Sequence, residues 1–353
     1  MPDRGDTQNR AKRNFKENVK TMQIYKKKFE TKKLKKEGKK NLLLDTLAQL
    51  SSNYPKPQPP NTRETLAKRA KAKYFTQAVT KKLAMLNSPL KRSYNNTYFG
   101  CSNLLLQTGD IITTKYCNNR WCLVCNRIRT AKLICGYKET LQALSDLQFV
   151  TLTIRNVKKE ALKQTIEGMQ HNFSDIIKTL NRKQQRLNNV KRTLKGLRKV
   201  EVTFNAIRND YHPHLHVLIS GLDNAIDIVT AWLKHYPTAE PYCQKIQKAD
   251  DKTFMELFKY YTKITTNKIT YITALDTIFQ AMRNKRVYQP FGILKNVTED
   301  IETLQAQITD LEAAEKIWMW ESCDWIDHET GECLTDYEPS ENVKQLINNI
   351  KHC

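Results

Sequence analysis

His214-Leu215-His216-Val217-Leu218-Ile219 alternates polar and apolar side chains, and its reading decides the fold. A period of two is the pattern of a half-buried strand, here sending Leu215, Val217 and Ile219 to one side. Val200-Glu201-Val202-Thr203-Phe204 alternates in the same way, and Asn205 to Pro213, with Asn209-Asp210, reads as the turn of a hairpin joining the two. Phe149-Val150-Thr151-Leu152-Thr153-Ile154 is a third strand, with Val150, Leu152 and Ile154 on one side. If the aliphatic sides share one buried face, strand parity forces Thr151, Thr153, Glu201, His214 and His216 onto the other. Two imidazoles two residues apart, with a carboxylate on the neighbouring strand, make a compact divalent-metal site. His-x-His taken alone more often means two surface histidines; the carboxylate arriving by a separate parity argument tips the balance. His212 has the same parity but sits at the turn before Pro213, so it is a second-choice ligand.

Around these strands lie helical segments. Thr62 to Leu86 holds strong helix formers and no Gly or Pro. From Glu160 to about Leu197, Leu162, Ile166, Met169, Phe173, Ile176, Ile177 and Leu180 recur at helical spacing, with Lys183, Arg186, Lys191 and Arg192 on the basic outer face. Such a face is a solubility device unless it lies beside a nucleic-acid site, where it contacts backbone. Asp250 to Thr265 reads as a third helix with an apolar stripe of Phe254, Leu257, Phe258, Tyr261 and Ile264. The stripe assigns Tyr261 to packing and leaves Tyr260 on another side with Glu256 and Lys263. By itself that is a solvated Glu-Lys face carrying an incidental tyrosine. Combined with a cation on His214 and His216, it becomes a phosphodiester-cleaving set. Tyr260 would be the nucleophile, Lys263 the phosphate clamp and Glu256 the general base for a second displacement.

Cys101, Cys117, Cys122 and Cys125 follow the pattern C-x15-C-x4-C-x2-C. Four thiols match the ligand count of a structural zinc site, the alternative being packed thiols. Arg120, Arg127 and Arg129 around them suit DNA contact. Nine cysteines, an odd number, behind a start (MPDRGDTQNR) with no apolar leader read as reduced thiols or metal ligands in a cytosol. No stretch approaches the ~18 apolar residues of a spanning helix, so no membrane is expected. The 353 residues carry 59 Lys+Arg against 36 Asp+Glu, a net charge of +23 that makes nucleic acid the expected partner. The charge is uneven: 25 basic against 7 acidic residues from Met1 to Gly100, but 3 against 12 from Ile301 to Cys353. The chain therefore divides into a basic arm with a Pro-rich linker (1–61), a basic helical segment (62–99), a strand-bearing domain with the cysteines at its start (100–295) and an acidic helical tail (296–353). In that tail Ile308, Leu311, Ile317, Trp318, Trp320 and Trp325 read as core.

FVTLTIRNV from Phe149, YHPHLHVLI from Tyr211 and ELFKYYTK from Glu256 resemble, in order, three motifs of rolling-circle plasmid replication initiators with a single catalytic tyrosine. This group lies within the His-hydrophobic-His (HUH) endonucleases. The cysteine region, the Lys-Arg-rich segment before VEVTF and NKRVYQPFGIL from Asn284 also resemble that group, so the likeness covers roughly Gly100 to Trp325. It implies an α+β fold, an antiparallel RRM-like sheet flanked by helices with the site on its open face. It implies binding of the double-strand origin, nicking through a 5′-phosphotyrosine, release of a 3′-OH primer and a closing cleavage and rejoining. The nucleophile falls on Tyr260, the terminating glutamate on Glu256 and the metal histidines on His214 and His216, with Glu201 as third ligand. The implied cofactors are Mg²⁺ or Mn²⁺, with structural Zn²⁺ on the cysteines. The implied partners are origin DNA, host helicase and polymerase, and a second copy of the chain, in a bacterial cytoplasm. A second tyrosine after the motif tyrosine departs from the pattern. A relaxase or transposase would share this chemistry; a non-catalytic DNA-binding regulator would leave the histidines and tyrosine without a role.

Overall fold

The computed structural model of the chain describes residues 62–188, 193–258, 262–265, 267–292, 294–297, 301 and 314–352. The basic arm, Tyr260, Tyr261, Lys191, Arg192, Ile308 and Leu311 lie outside the described residues, as does the side chain of Arg186. In chain order the chain forms α1 (Arg63–Ala84), α2 (Lys91–Gly100), β1 (Leu104–Thr108), β2 (Ile111–Thr114), α3 (Leu123–Gln142) and β3 (Leu147–Thr153). Next come α4 (Lys159–Asn188), β4 (Gly196–Asn205), β5 (Asp210–Ser220), α5 (Leu222–His235), β6 (Lys245–Lys248) and α6 (Asp251–Phe258). Last are β7 (Thr270–Tyr271), α7 (Ile272–Met282), β8 (Tyr288–Phe291), β9 (Lys316–Glu321), β10 (Asp324–Asp327), α8 (Glu341–Asn348) and β11 (Ile350–Lys351). The fold is α+β, with antiparallel sheets flanked by helices. No helix among the described residues is long and apolar enough to cross a membrane.

The chain divides into two compact units, one holding residues 139–261 and 284–296, the other 52–138, 262–283 and 297–353. The cysteine region thus falls with the C-terminal tail and not with the histidine hairpin.

In the first unit a five-stranded antiparallel sheet has the order β6-β3-β5-β4-β8. β4 and β5 are the expected hairpin, with Val200 opposite Leu215 and Glu201 opposite His214. Val150, Leu152, Val200, Val202, Leu215, Val217 and Ile219 are fully buried, as is the α4 stripe of Leu162, Ile166 and Met169. Each such aliphatic side chain contributes roughly 1.5–3 kcal/mol over exposure, which makes this face the energetic centre of the unit. α4 is one unbroken helix of 30 residues. The opposite face is covered as well: Leu197, Leu218, Leu257 and Phe258 are fully buried there, and Phe258 stacks on Tyr288 at 5.7 Å. The expected open site face is therefore corrected to a covered one.

One further expectation is corrected. The third helix ends at Phe258 among the described residues, and 262–265 form bends, so Lys263 is exposed and off the helix. Thr262, Ile264 and Thr265 are β-branched and resist helical χ1 geometry, which fits the non-helical backbone at 262–265. The described part of the acidic tail holds the strands β9, β10 and β11 as well as the helix α8. β9 and β10 join β1 and β2 in the second unit's four-stranded sheet, β10-β9-β1-β2. Trp318 and Trp325 are buried in it, as core residues, because aromatic side chains pack well on a half-buried pleated surface.

Candidate metal centres

The hairpin register brings the predicted trio together. Glu201 lies opposite His214, and His216 lies opposite both Lys199 and Thr151. Glu201, His214 and His216 are 6%, 8% and 8% exposed, and their ligand atoms all lie within 4.8 Å of one another. The Glu201 carboxylate sits 3.4 Å from His216 Nε2 and 4.0 Å from His214 Nε2. Each imidazole has its other nitrogen engaged: His216 Nδ1 with Thr151 Oγ1 at 3.3 Å, His214 Nδ1 with the His212 carbonyl at 3.2 Å. A hydrogen bond at Nδ1 fixes ring orientation and presents Nε2, the usual outer support of a metal-binding histidine. Phe149 stacks on His216 at 5.1 Å and holds it further. His212 is directed elsewhere, its Nδ1 2.9 Å from Asn156 Oδ1, so the second-choice ligand is not part of the trio.

Burial lowers the His214 pKa to about 3 against the pull of Glu201, leaving a neutral imidazole with a lone pair at pH 7. For Glu201 burial works upward, but His216, Lys199 and His214 together hold the carboxyl well below the usual range. The site thus contains one anion, on Glu201, and a neutral nitrogen donor on His214. A cation about 2.1 Å from each donor needs donors within about 4.2 Å of one another, which small side-chain rotations supply. The residues present fit a divalent ion.

Lys199 is the site residue that the sequence reading passed over. It is fully buried, and its Nζ donates to Glu201 Oε2 at 2.8 Å and to the Glu256 carbonyl oxygen at 3.4 Å. The parity that selected Glu201 selects Lys199 too, two residues earlier, so the signal was in the pattern. Through Lys199 the half-buried Glu256 on α6 is tied to the histidine face.

The second unit holds the cysteines. Cys101 Sγ lies 3.5 Å from Cys122 Sγ and 3.6 Å from Cys125 Sγ, and Cys117 Sγ lies 3.6 Å from Cys125 Sγ. Four sulfurs at 2.3 Å from a tetrahedral zinc would be about 3.8 Å apart, so this packing is close to that of a zinc–thiolate site. Hydrogen bonds from Cys101, Cys122 and Cys125 push the Cys117 thiol far down. Burial pushes Cys122 up, and thiol hydrogen bonds with Cys101 and Cys117 push Cys125 up. Without a cation this cluster cannot hold four thiolates; the donor set fits a soft divalent metal. Lys73 on α1, 2% exposed, donates to the Cys101 carbonyl at 2.7 Å and to Asn103 Oδ1. Burial lowers its pKa to about 8, opposed by Cys101, Cys122 and Cys117. Lys73 has no sequence signature, because only tertiary packing brings α1 to the cysteines.

The arginines divide. Arg127 is exposed and donates to the Lys68 carbonyl, and Arg120 is half-buried. Arg129 is 4% exposed and donates to Asn118 O at 2.9 Å and Oδ1 at 2.7 Å, so its expected place at a DNA-facing surface is corrected to an internal brace. Lys183 is exposed on α4.

Fold and sites define an α+β protein with two separate candidate metal centres, one of two imidazoles and a carboxylate, the other of four thiols. Residues 109–222 match the family Rep_1, described as replication protein, and that segment contains Cys117, Cys122, Cys125, Glu201, His214 and His216. Over that segment the chain is thus similar to the Rep replication proteins. A "Protein rep" of Staphylococcus aureus is 27% identical over 166 residues, covering 45% of this chain and 69% of that protein. A "Protein rep" of Streptococcus pneumoniae is 33% identical over 111 residues, 30% of this chain and 32% of that protein. One from a Bacillus sp is 27% identical over 236 residues, 56% of this chain and 74% of that protein. No solved structure matches the chain.

Proposed function

We propose that the protein initiates rolling-circle replication of a plasmid, nicking one strand of the double-strand origin in the bacterial cytoplasm. The observation that carries this reading is the convergence of Glu201, His214 and His216 on one sheet face, with α6 tethered to that face through Lys199 and Glu256. Tyr260 follows Glu256 four residues on in the chain. A Mg²⁺ or Mn²⁺ ion on the trio would supply Lewis acidity to a phosphodiester. The Tyr260 phenolate attacks phosphorus, a P–O bond to tyrosine forms, and the P–O3′ bond breaks. The electron pair leaves on O3′, which takes up a proton and becomes the primer hydroxyl for host polymerase, behind a host helicase. Glu256 later removes a proton from the attacking water or hydroxyl in the closing displacement. Lys263 contributes positive charge toward the phosphate. Zinc on Cys101, Cys117, Cys122 and Cys125 is a structural ion in this reading, and Arg120, Arg127, Lys183, Arg186, Lys191 and Arg192 contact DNA backbone.

The test is nicking of supercoiled DNA with Mg²⁺ or Mn²⁺, with mass spectrometry of the tryptic peptide cross-linked to DNA. Tyr260→Phe should abolish nicking, by about 10⁴-fold or more, while DNA binding survives. Tyr261→Phe should mainly lower stability. Full nicking by the Tyr260→Phe variant overturns the assignment, and binding without any nicking by the wild type favours a regulator.

A further inference from the structure

The tip of the β4–β5 hairpin does not have the chemistry of an ordinary turn. Turn apices are dominated by Gly, Asn, Asp, Pro and Ser, yet residues 206–209 place Ile207 there, 96% exposed. Among the described residues no other large apolar side chain is as exposed. The tip is also held in one shape. Asn205 Oδ1 accepts from the backbone N–H of Ile207 at 3.1 Å and of Arg208 at 3.2 Å. Lys158 Nζ donates to the carbonyls of Arg208 at 2.9 Å and Asn209 at 3.1 Å, while Asn209 takes a left-handed conformation with φ 47°. Val157 bridges to Tyr211 and keeps the Lys158 segment alongside the ribbon.

The charge around the tip is cationic at its outer edge. Lys158, Lys159 and Arg208 are exposed. The acid nearest the apex, Asp210, is already engaged by Arg208 at 3.4 Å and by Asn156 at 2.6 Å. Arg155 is paired with Glu240 at 3.4 Å, and Glu160 is the remaining exposed acid on this segment. A rigid apolar point rimmed by cations matches the side chains that DNA-bending proteins insert between base steps, where phosphate contacts supply affinity and the wedge unstacks.

We propose that this hairpin tip is a DNA wedge, Ile207 entering the stack of a duplex while Lys158, Lys159 and Arg208 hold the flanking phosphates. The inference deepens the nicking function and rests on it: strand cleavage by a tyrosine needs the strand freed from its partner, and the wedge is built into the same ribbon as the histidine centre. Four residues separate the Glu201–His214 rung from the Asn205–Asp210 rung. That is about 13 Å at ~3.3 Å per residue, or roughly four base steps at ~3.4 Å each. The wedge therefore opens the duplex a few base pairs from the cleaved ester.

The test uses the full chain and Ile207→Ser, an exposed position whose substitution leaves the fold intact. The substrates are a relaxed plasmid carrying the DNA that flanks this protein's gene and a short single strand spanning the nick mapped on it. Ile207→Ser should slow nicking of the duplex by about tenfold to a hundredfold, the scale of unstacking one step, and leave the single strand cut at the wild-type rate. A duplex carrying 2-aminopurine should brighten with wild type and stay dim with Ile207→Ser. Equal rates on both substrates, or equal slowing of both, overturn the wedge. If the wild type cuts neither substrate, the nicking function fails, and the wedge then stands or falls on the 2-aminopurine signal alone.

Discussion

The two candidate centres differ in how the chain makes them. The cysteine cluster joins four donors of one kind from a stretch of 25 residues, packed sulfur against sulfur with Lys73 beside them. The histidine centre joins two residues of one strand to a third on its partner, with an ammonium already bound to the carboxylate. Four protein ligands fill a tetrahedral shell, so the first arrangement is suited to holding structure. Three leave coordination positions for water or substrate, so the second is suited to chemistry. The contrast teaches that ligand count and local cover, more than burial, separate the two roles: both centres are largely buried.

The largest effect is expected at the sulfurs. Cys122→Ser, or a strong chelator on the wild type, should cost about 5 kcal/mol or more, because structural zinc binding supplies folding energy directly. Metal content by atomic emission and hydrogen-exchange protection across 63–138 check this; full protection without metal would reduce the cluster to packed thiols. Next is Lys199→Met, which leaves Glu201 buried without its cation. The metal-free protein should lose about 3–5 kcal/mol, while affinity for Mn²⁺ measured by calorimetry rises. An unchanged melting curve would remove Lys199 from the site.

A smaller effect comes from pH. His214 titrates at about 3 in the folded chain against 6.5 as a free group, so between those values the unfolded chain holds the extra proton. Stability of the metal-free protein is then fully present above about pH 6.5. It falls as pH drops toward 3, by up to about 1.4 kcal/mol per pH unit. Glu201, with its pKa depressed, adds a loss in the same direction at the acid end. Urea melts at pH 7, 6 and 5 with chelator check the slope, and a flat profile contradicts a neutral buried His214. The smallest effect separates the arginines. Arg129→Ala should cost about 1–2 kcal/mol of stability by removing its two hydrogen bonds to Asn118. Arg127→Ala should leave stability within about 0.5 kcal/mol but reduce the salt slope of DNA binding by about one.

The hairpin and its trio were legible because a period of two carries both facts at once: aliphatic residues name the buried face and parity places Glu201, His214 and His216 on the other. The four cysteines were legible from spacing alone. The bends at 262–265 were not, because helical periodicity in Phe254, Leu257, Phe258 and Ile264 outweighed the β-branched Thr262, Ile264 and Thr265. The strands of the tail were not legible for a related reason: Ile317, Trp318 and Trp320 show no period long enough to tell strand from helix, and their partner strand β1 lies some 200 residues earlier. Arg129 read as a surface cation because sequence records charge and not the Asn118 that receives it.

Chemical character and alternation thus belonged to the amino-acid order itself: which side chains can bind a cation, which strands pair, and where positive charge gathers. Tertiary structure alone decided what lies over them. Cover depends on segments distant in the chain meeting in space, so the buried ammoniums of Lys73 and Lys199, the closed histidine face and the strands of the tail emerge only once those segments pack.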